Sequence, residues 1–274
     1  MSLTQALVIF GVGSLAGLIG ALFGLGGGIL VVPILAIGFD VPMHTAIGTS
    51  LLCVIATSSA AASRNIRLGV ANVRLGVLLE PWTVTGAILG GLIAHMLPGV
   101  TLMKIFGATI IALAVPMVRG VTESAAGPAK SRPSLEGSYY DEAIKSEVRY
   151  SVERLPVAMG VSSVAGVFSG LLGVGGGIIQ VPALTLLCRM PMKAAAATSN
   201  FMMGVTAVAS AVLYYGRGYV EATLAAACVI GVFVGSRAGV RVSDRLRGDA
   251  IRKAFAVVMV VIGIRFLVKA YGIG

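Results

Sequence analysis

Apolar stretches about as long as a bilayer is thick follow one another along almost the whole chain, separated by short polar gaps. A helix needs about 20 apolar residues to cross the hydrocarbon core of a bilayer. Charged residues make up 12% of the sequence, where a soluble domain usually has about a quarter, and the mean hydropathy is +0.96. The sequence therefore predicts an all-α integral membrane protein with roughly eight to ten membrane segments and no separate soluble domain.

An internal duplication is the second strong constraint. Residues 16–33 read AGLIGALFGLGGGILVVP, and residues 165–182, which lie 149 positions later, read AGVFSGLLGVGGGIIQVP. The same offset aligns Gly69 with Gly218 and needs no gap in between. Chance does not hold one register over that distance, so we predict two copies of one structural unit.

Each copy has the same predicted order of elements. A long apolar arm leads to a triple glycine, a shorter arm follows as the other half of a broken-helix hairpin, and three longer helices complete the copy. The predicted segments are about 4–24, 28–38, 44–63, 75–97 and 101–118 in the first copy and 155–172, 177–188, 193–214, 219–240 and 251–271 in the second. The predicted domains are repeat 1 at residues 1–118, a linker at 119–154 and repeat 2 at 155–274.

Basic residues set the predicted orientation. They are abundant in the linker and in the gaps at 64–74 and 237–253, while the gap at 214–220, which corresponds to 64–74, is poor in them. The positive-inside bias places the basic gaps in the cytoplasm, and this is consistent only if the second copy is upside down relative to the first. We therefore predict two inverted-topology repeats in the cell (inner) membrane, with both termini outside. The net charge of +10 is spread over these gaps rather than over one basic face, which argues against nucleic-acid binding.

The linker is rich in charge of both signs. It holds six of the chain's eleven acidic residues and six basic ones. We expect it to be solvated and cytoplasmic, with some helix around Leu135–Tyr150.

Two triple glycines, Gly26-Gly27-Gly28 and Gly175-Gly176-Gly177, are the strongest candidates for a binding site. The arm after each cluster is about 16 Å long, near half the hydrocarbon thickness, so we expect its start near the midplane. Non-helical backbone at that depth is tolerated where it is buried in protein or lines a cavity. Glycine leaves amide N–H groups uncovered, and a helix N-terminus attracts an anion. The competing interpretation is close helix packing, which we favour for isolated glycines spaced four apart.

Polar side chains close to these clusters in the sequence complete the predicted substrate site. They are Thr49, Ser50, Gln180, Thr198, Ser199 and Asn200. The Thr-Ser pairs occupy matching positions of the two copies, whereas Gln180 stands where the first copy has Val31. Hydroxyl and amide groups can bind an oxyanion without a charge, but hydrogen bonds between helices explain them equally well.

Few ionisable residues remain outside the linker. Glu80 and His95 fall near the ends of a predicted helix, where we expect solvation at the membrane surface. The chain has two histidines and three scattered cysteines, with neither a metal-ligand spacing nor a nucleophile–base pair. We therefore predict no enzyme activity, no metal and no cofactor.

A doubled signature, G-x-GGG-x-x-x-x-P, occurs at Gly24–Pro33 and Gly173–Pro182, and Thr-Ser follows sixteen residues past each proline. With this pattern the chain resembles the TauE/SafE sulfite exporter family over both copies. The resemblance implies a secondary transporter that exports small sulfur-containing anions, such as sulfite or organosulfonates, with a proton or sodium ion as coupling partner. Inverted repeats would provide alternating access around the two glycine clusters. An anion channel and a non-transporting membrane subunit are the alternatives.

Overall fold

The computed structural model describes residues 3–23, 26–119, 135–141, 145–242 and 249–272. The helices are α1 (Leu3–Phe23), α2 (Gly28–Pro33), α3 (Met43–Arg67), α4 (Val73–Met96), α5 (Gly99–Arg119), α6 (Leu155–Leu172), α7 (Gly177–Leu186), α8 (Met192–Gly216), α9 (Ala222–Val242) and α10 (Asp249–Tyr271). A hairpin of two antiparallel strands, β1 (Gly137–Asp141) and β2 (Ser146–Tyr150), lies between α5 and α6 in the chain. After Pro33, α2 continues as one π-helical turn, Ile34–Gly38.

The predicted helices are confirmed. Every predicted apolar segment corresponds to a helix whose ends lie within a few residues of the prediction. Among the described residues, six helices are long and apolar enough to cross a membrane. The chain is therefore an all-α integral membrane protein that spans the membrane several times.

Local sequence explains where several helices begin. Helices α3 and α8 both follow a proline at matching positions, Pro42 and Pro191, and proline is well suited to helix starts because its own N–H is not needed there. Helix α4 begins after Asn72, whose side-chain Oδ1 accepts a hydrogen bond from the Leu75 amide at 3.0 Å. This cap satisfies one of the amides that a helix N-terminus leaves unpaired.

The packing partners of the helices repeat between the two copies. Helix α1 packs along α9, and α6, the counterpart of α1, packs along α4, the counterpart of α9. Helix α3 packs against its own counterpart α8, and α5 packs against its counterpart α10. The first helix of each copy therefore lies on the other copy.

Glycines bring the backbones of these helix pairs together. A β-carbon added at Gly235 would collide with the carbonyl oxygen of Ser14, and one added at Gly86 would collide with that of Ser163. The residues of the second contact lie 149 positions from their counterparts in the first, so the two interfaces match residue by residue. This confirms the packing role that the sequence suggests for isolated glycines. The direction of each copy across the bilayer and the domain boundaries stay predictions.

The expectation of a helix around Leu135–Tyr150 is wrong, because the described part of this segment forms the β-hairpin. Tyr139 lies opposite Val148, and the rings of Tyr139 and Tyr150 pack with their centroids 6.4 Å apart. Aromatic and β-branched residues favour strands through such cross-strand contacts. Both tyrosines belong to a buried apolar cluster with Leu79 of α4, and this burial raises the pKa of Tyr150. This part of the linker is thus packed on the membrane helices, while linker residues 120–134 and 142–144 lie outside the described residues.

Candidate functional site

Both triple glycines interrupt the helical backbone. Gly26 and Gly27 have φ angles of +71° and +68°, and Gly175 and Gly176 have +77° and +74°. This left-handed conformation is open to glycine and strained for residues with a β-carbon. The helices α2 and α7 begin at the third glycine of each cluster. The predicted breaks are therefore present, and the glycines are required by the backbone itself.

The helix that follows each break begins with backbone amides that have no acceptor within the helix. Leu30 and Val31 donate their amide hydrogens to Gly27 O, and in the second copy Ile179 and Gln180 donate to Gly176 O. The amides that precede these have no acceptor within an α-helix, and the helix dipole adds a partial positive charge at the same place. One of them is already used in the first copy, since Gly28 N donates to Gly26 O at 2.8 Å.

The two breaks lie next to each other. A β-carbon added at Gly26 would stand 3.3 Å from Val54 Cγ1 and 3.2 Å from Met203 Sδ. One added at Gly175 would stand 2.7 Å and 3.2 Å from the same two atoms. Val54 and Met203 occupy matching positions on α3 and α8, so the two glycine turns meet where these central helices pack together.

Ser50 connects the two breaks. Its hydroxyl donates to Gly173 O at 2.7 Å and lies 3.3 Å from Gly28 O, so one side chain of α3 reaches the backbone of both copies. A hydroxyl has a single hydrogen, which makes the shorter contact the principal bond. Ser50 is fully buried, and no exchange with solvent competes with this bond.

Ser199, the counterpart of Ser50, has different partners. Its hydroxyl donates to Gln180 Oε1 at 3.1 Å, and Gln180 Nε2 donates to Thr83 Oγ1 at 3.3 Å. These polar groups are all buried. A chain of three polar side chains, Ser199 and Gln180 of the second copy and Thr83 of the first, therefore lies beside α7. The positions that match Gln180 and Thr83 in the opposite copies hold Val31 and Val232.

The remaining predicted side chains are buried but do not all point to one place. Thr198 Oγ1 accepts from the Asn72 amide at 2.9 Å and donates to Ala194 O at 2.8 Å, which fixes the start of α4. Thr49 is fully buried, and its hydroxyl has no hydrogen-bond partner in the described part of the chain. Asn200 is buried on α8. Binding of substrate by these residues and by the glycines stays a prediction.

Two threonines that the sequence analysis missed also belong to this region. Thr57 Oγ1 lies 2.9 Å from Gly26 O, and Thr206 Oγ1 donates to Glu80 Oε1 at 2.9 Å. They lie 149 positions apart, so the duplication already marked them as a matched pair. Glu80 is partly buried in α4, its Oε1 is bonded to Thr206, and its Oε2 is buried. These contacts differ from the solvation at the membrane surface that the sequence predicts for it.

The glycine turns are enclosed in this conformation. All six glycines are buried, and the side chains of Val54 and Met203 fill the space beside them. A separate apolar cleft of about 530 Å³ lies between α3 and α9, lined by residues such as Leu52, Ile55 and Val229. Among the described residues, no three His, Cys, Asp or Glu side chains lie close enough together to hold a metal ion.

Comparison with known proteins shows which family shares this sequence. The family model for the sulfite exporter TauE/SafE matches residues 9–266. The chain is 28% identical over 263 residues to "Probable membrane transporter protein YunE" of Bacillus subtilis, with 93% of this chain and 94% of that protein covered. It is 28% identical over 278 residues to a "Probable membrane transporter protein" of Xylella fastidiosa, with 99% and 98% covered. No solved structure matches. The chain therefore belongs to the sulfite exporter TauE/SafE family of membrane transporters.

Proposed function

We propose that this protein is a secondary transporter that exports small sulfur-containing anions, such as sulfite or organosulfonates, and that the anion binds between the two glycine turns. The observation that carries the proposal is the meeting of the turns at Val54 and Met203. Family membership supports the transport of an anion of this class.

The chemistry of the turns suits an anion. Each turn leads into a helix N-terminus, which carries about half a positive charge and unpaired amide hydrogens. Two such ends that face one position share the charge of an oxyanion among several neutral donors. No buried cation is needed, so the site can release the anion again at the end of each cycle.

The closed packing around the turns implies a moving part. Substrate reaches the glycine amides only if Val54 and Met203 separate from them, first towards one side of the membrane and then towards the other. The tight backbone contacts of α1 with α9 and of α6 with α4 make these pairs suitable rigid units for that motion. In this proposal the copies are inverted repeats, the linker is cytoplasmic, both termini lie outside the inner membrane, and a proton or sodium gradient supplies the energy.

Flux into proteoliposomes tests the proposed function directly. Purified protein is reconstituted, and uptake of sulfite, sulfoacetate and thiosulfate is compared with that of acetate, each with and without a pH or sodium gradient. We expect saturable uptake of at least one sulfur anion and acceleration of its uptake by unlabelled anion inside the vesicles. Conductance far above carrier turnover would instead identify a channel, and absence of flux for every anion would refute transport.

Substitution of the glycine turns tests the proposed site. In Gly27→Ala and Gly176→Ala the new β-carbon meets a left-handed backbone, which costs about 1–2 kcal/mol, and stands beside the amides that would bind the anion. It lies 3.3 Å from Thr57 Cγ2 or 3.0 Å from Ala165 O, close enough to require only a small shift. We expect loss of uptake with protein that still elutes as a single folded species in size-exclusion chromatography. Gly160→Ala is the matched control, because a β-carbon there meets nothing within 4 Å. Normal transport by both turn variants would show that the anion binds elsewhere.

A further inference from the structure

Glu80 is an acidic residue inside the membrane-spanning helix α4, and it is not part of the proposed anion site. It lies seven positions after the first residue of α4, about 10 Å along the helix axis. Its Oε1 accepts the hydroxyl hydrogen of Thr206, and its Oε2 is buried without a hydrogen-bond partner in the described part of the chain. An ionisable side chain in such a place is expected to have a function.

No described residue neutralises Glu80. The ion pairs described are Arg149–Glu147, Arg189–Glu153 and Lys269–Asp40, all of which involve exposed side chains. Helix α6, which packs along α4, has no ionisable residue. The titratable groups on α4 itself are Arg74 and His95. Those on the helices around it are Lys193, Tyr214 and Tyr215 on α8, Arg217 just after α8, and His44, Cys53, Arg64 and Arg67 on α3. The hairpin carries Tyr139, Tyr140, Glu147, Arg149 and Tyr150.

The groups closest along the helices are still distant from the carboxyl group. Arg74 is exposed and lies more than one and a half turns before Glu80. Lys193 precedes Thr206 by thirteen positions on α8, about 20 Å along the axis. Tyr214 donates its hydroxyl hydrogen to Gly170 O. An ionised carboxylate among apolar helices with one hydroxyl as its hydrogen-bond donor has a high desolvation free energy. Protonation makes the group neutral and removes that free-energy cost.

Thr206 is the side chain through which protonation of Glu80 can affect the second glycine turn. Its counterpart in the first copy, Thr57, has its hydroxyl 2.9 Å from the carbonyl oxygen of Gly26 and 3.0 Å from the carbonyl oxygens of Cys53 and Val54 on its own helix. In the second copy the matching carbonyl is that of Gly175, but Thr206 gives its hydrogen to Glu80 instead. A protonated Glu80 brings its own hydrogen and can donate it to Thr206 Oγ1. The Thr206 hydrogen is then free for a backbone carbonyl, and the position of Thr57 beside Gly26 O makes the matching Gly175 carbonyl the candidate acceptor.

We propose that Glu80 is the proton-binding site of the transport cycle and that Thr206 couples its protonation to the glycine turn at Gly175. The inference rests on the proposed transport function. The proton enters from the aqueous phase on one side, is held on the Glu80 carboxyl group, and leaves to the other side after the helices have moved. Glu80 and Thr206 offer three side-chain oxygen atoms, whereas Ca²⁺ and Mg²⁺ take six or more oxygen ligands, so these two side chains alone do not form a site for either ion.

Two variants and two readouts test this inference in the full-length protein in liposomes. Glu80→Gln keeps the shape of the side chain and removes its titration, and Thr206→Val keeps the carboxyl group and removes the hydroxyl. Glu221→Gln, an exposed acid just before α9, is the control. The first readout is uptake of labelled sulfite driven by a pH gradient, with a pH-sensitive dye in the lumen. The second is the infrared difference band of a carboxyl group that becomes protonated when the pH is lowered.

We expect Glu80→Gln to lose the infrared band, the acceleration by a pH gradient and the dye signal. Thr206→Val is expected to keep the band and lose the acceleration, and Glu221→Gln to behave as wild type. A Glu80→Gln protein that still moves protons with sulfite, or a wild type whose flux follows a sodium gradient alone, would overturn the inference. Should wild type transport no anion, the proposed function fails, and the infrared band alone still decides whether Glu80 binds a proton.

Discussion

Ser50→Ala is the sharpest test of how the two breaks are held together. The substitution removes a buried 2.7 Å bond from the Ser50 hydroxyl to Gly173 O and the same hydroxyl's 3.3 Å approach to Gly28 O. A buried acceptor left without its donor costs about 1–3 kcal/mol, and little cavity forms because only one oxygen is lost. Since each kcal/mol shifts the melting temperature of a protein of this size by about 2–4 °C, we expect a decrease of several degrees.

The assay is thermal unfolding in detergent, followed by the loss of monodisperse protein in size-exclusion chromatography. Ser59→Ala on the same helix is the matched control, because its hydroxyl makes a comparable 2.7 Å bond to Ile55 O at an exposed position. A surface change of this kind should stay within about 0.5 kcal/mol of wild type. If Ser50→Ala melts together with Ser59→Ala, the bond between the copies does not hold the two breaks together, and the reasoning about Ser50 is wrong.

Two further predictions concern other parts of the molecule. Gly86→Leu and Gly235→Leu should each prevent accumulation of folded protein, because the new side chain collides with the backbone of Ser163 or Ser14. Fluorescence-detected size-exclusion chromatography measures the amount of folded protein, and a normal elution profile would contradict the backbone contact. Burial raises the pKa of the Cys188 thiol to about 11. In a variant with Cys53 and Cys228 replaced by alanine, we therefore expect maleimide labelling of Cys188 to be slow at pH 7 and to accelerate as the pH rises, because the thiolate is the reactive form. Fast labelling at pH 7 would show that Cys188 is open to solvent.

The helices and their breaks could be predicted from the sequence because their causes are local. A run of apolar residues is sufficient for a membrane helix, and three glycines in a row permit the positive φ angles seen at Gly26 and Gly175. The fixed offset of 149 positions then transferred each assignment from one copy to the other.

What the sequence did not show depends on contacts between distant residues. The sequence marks Ser50 as a polar donor, but its acceptor at Gly173 lies 123 positions away. The position of Glu80 in its helix predicts solvation at a membrane surface, whereas its partner Thr206 comes from the other copy. The charges around the hairpin predict a solvated linker, whereas the structure of this segment depends on burial of Tyr139 and Tyr150 against the membrane helices.

The exchange of helix partners between the copies has a consequence for how the protein is made. Helix α1 ends at Phe23, but the helix it packs along, α9, begins only at Ala222 and therefore leaves the ribosome much later. The glycine-lined face of α1 therefore stays without its final packing partner until α9 has been synthesised and inserted. The first copy cannot reach its final packing before α9 of the second copy has been inserted, so the two copies complete their assembly together in the membrane.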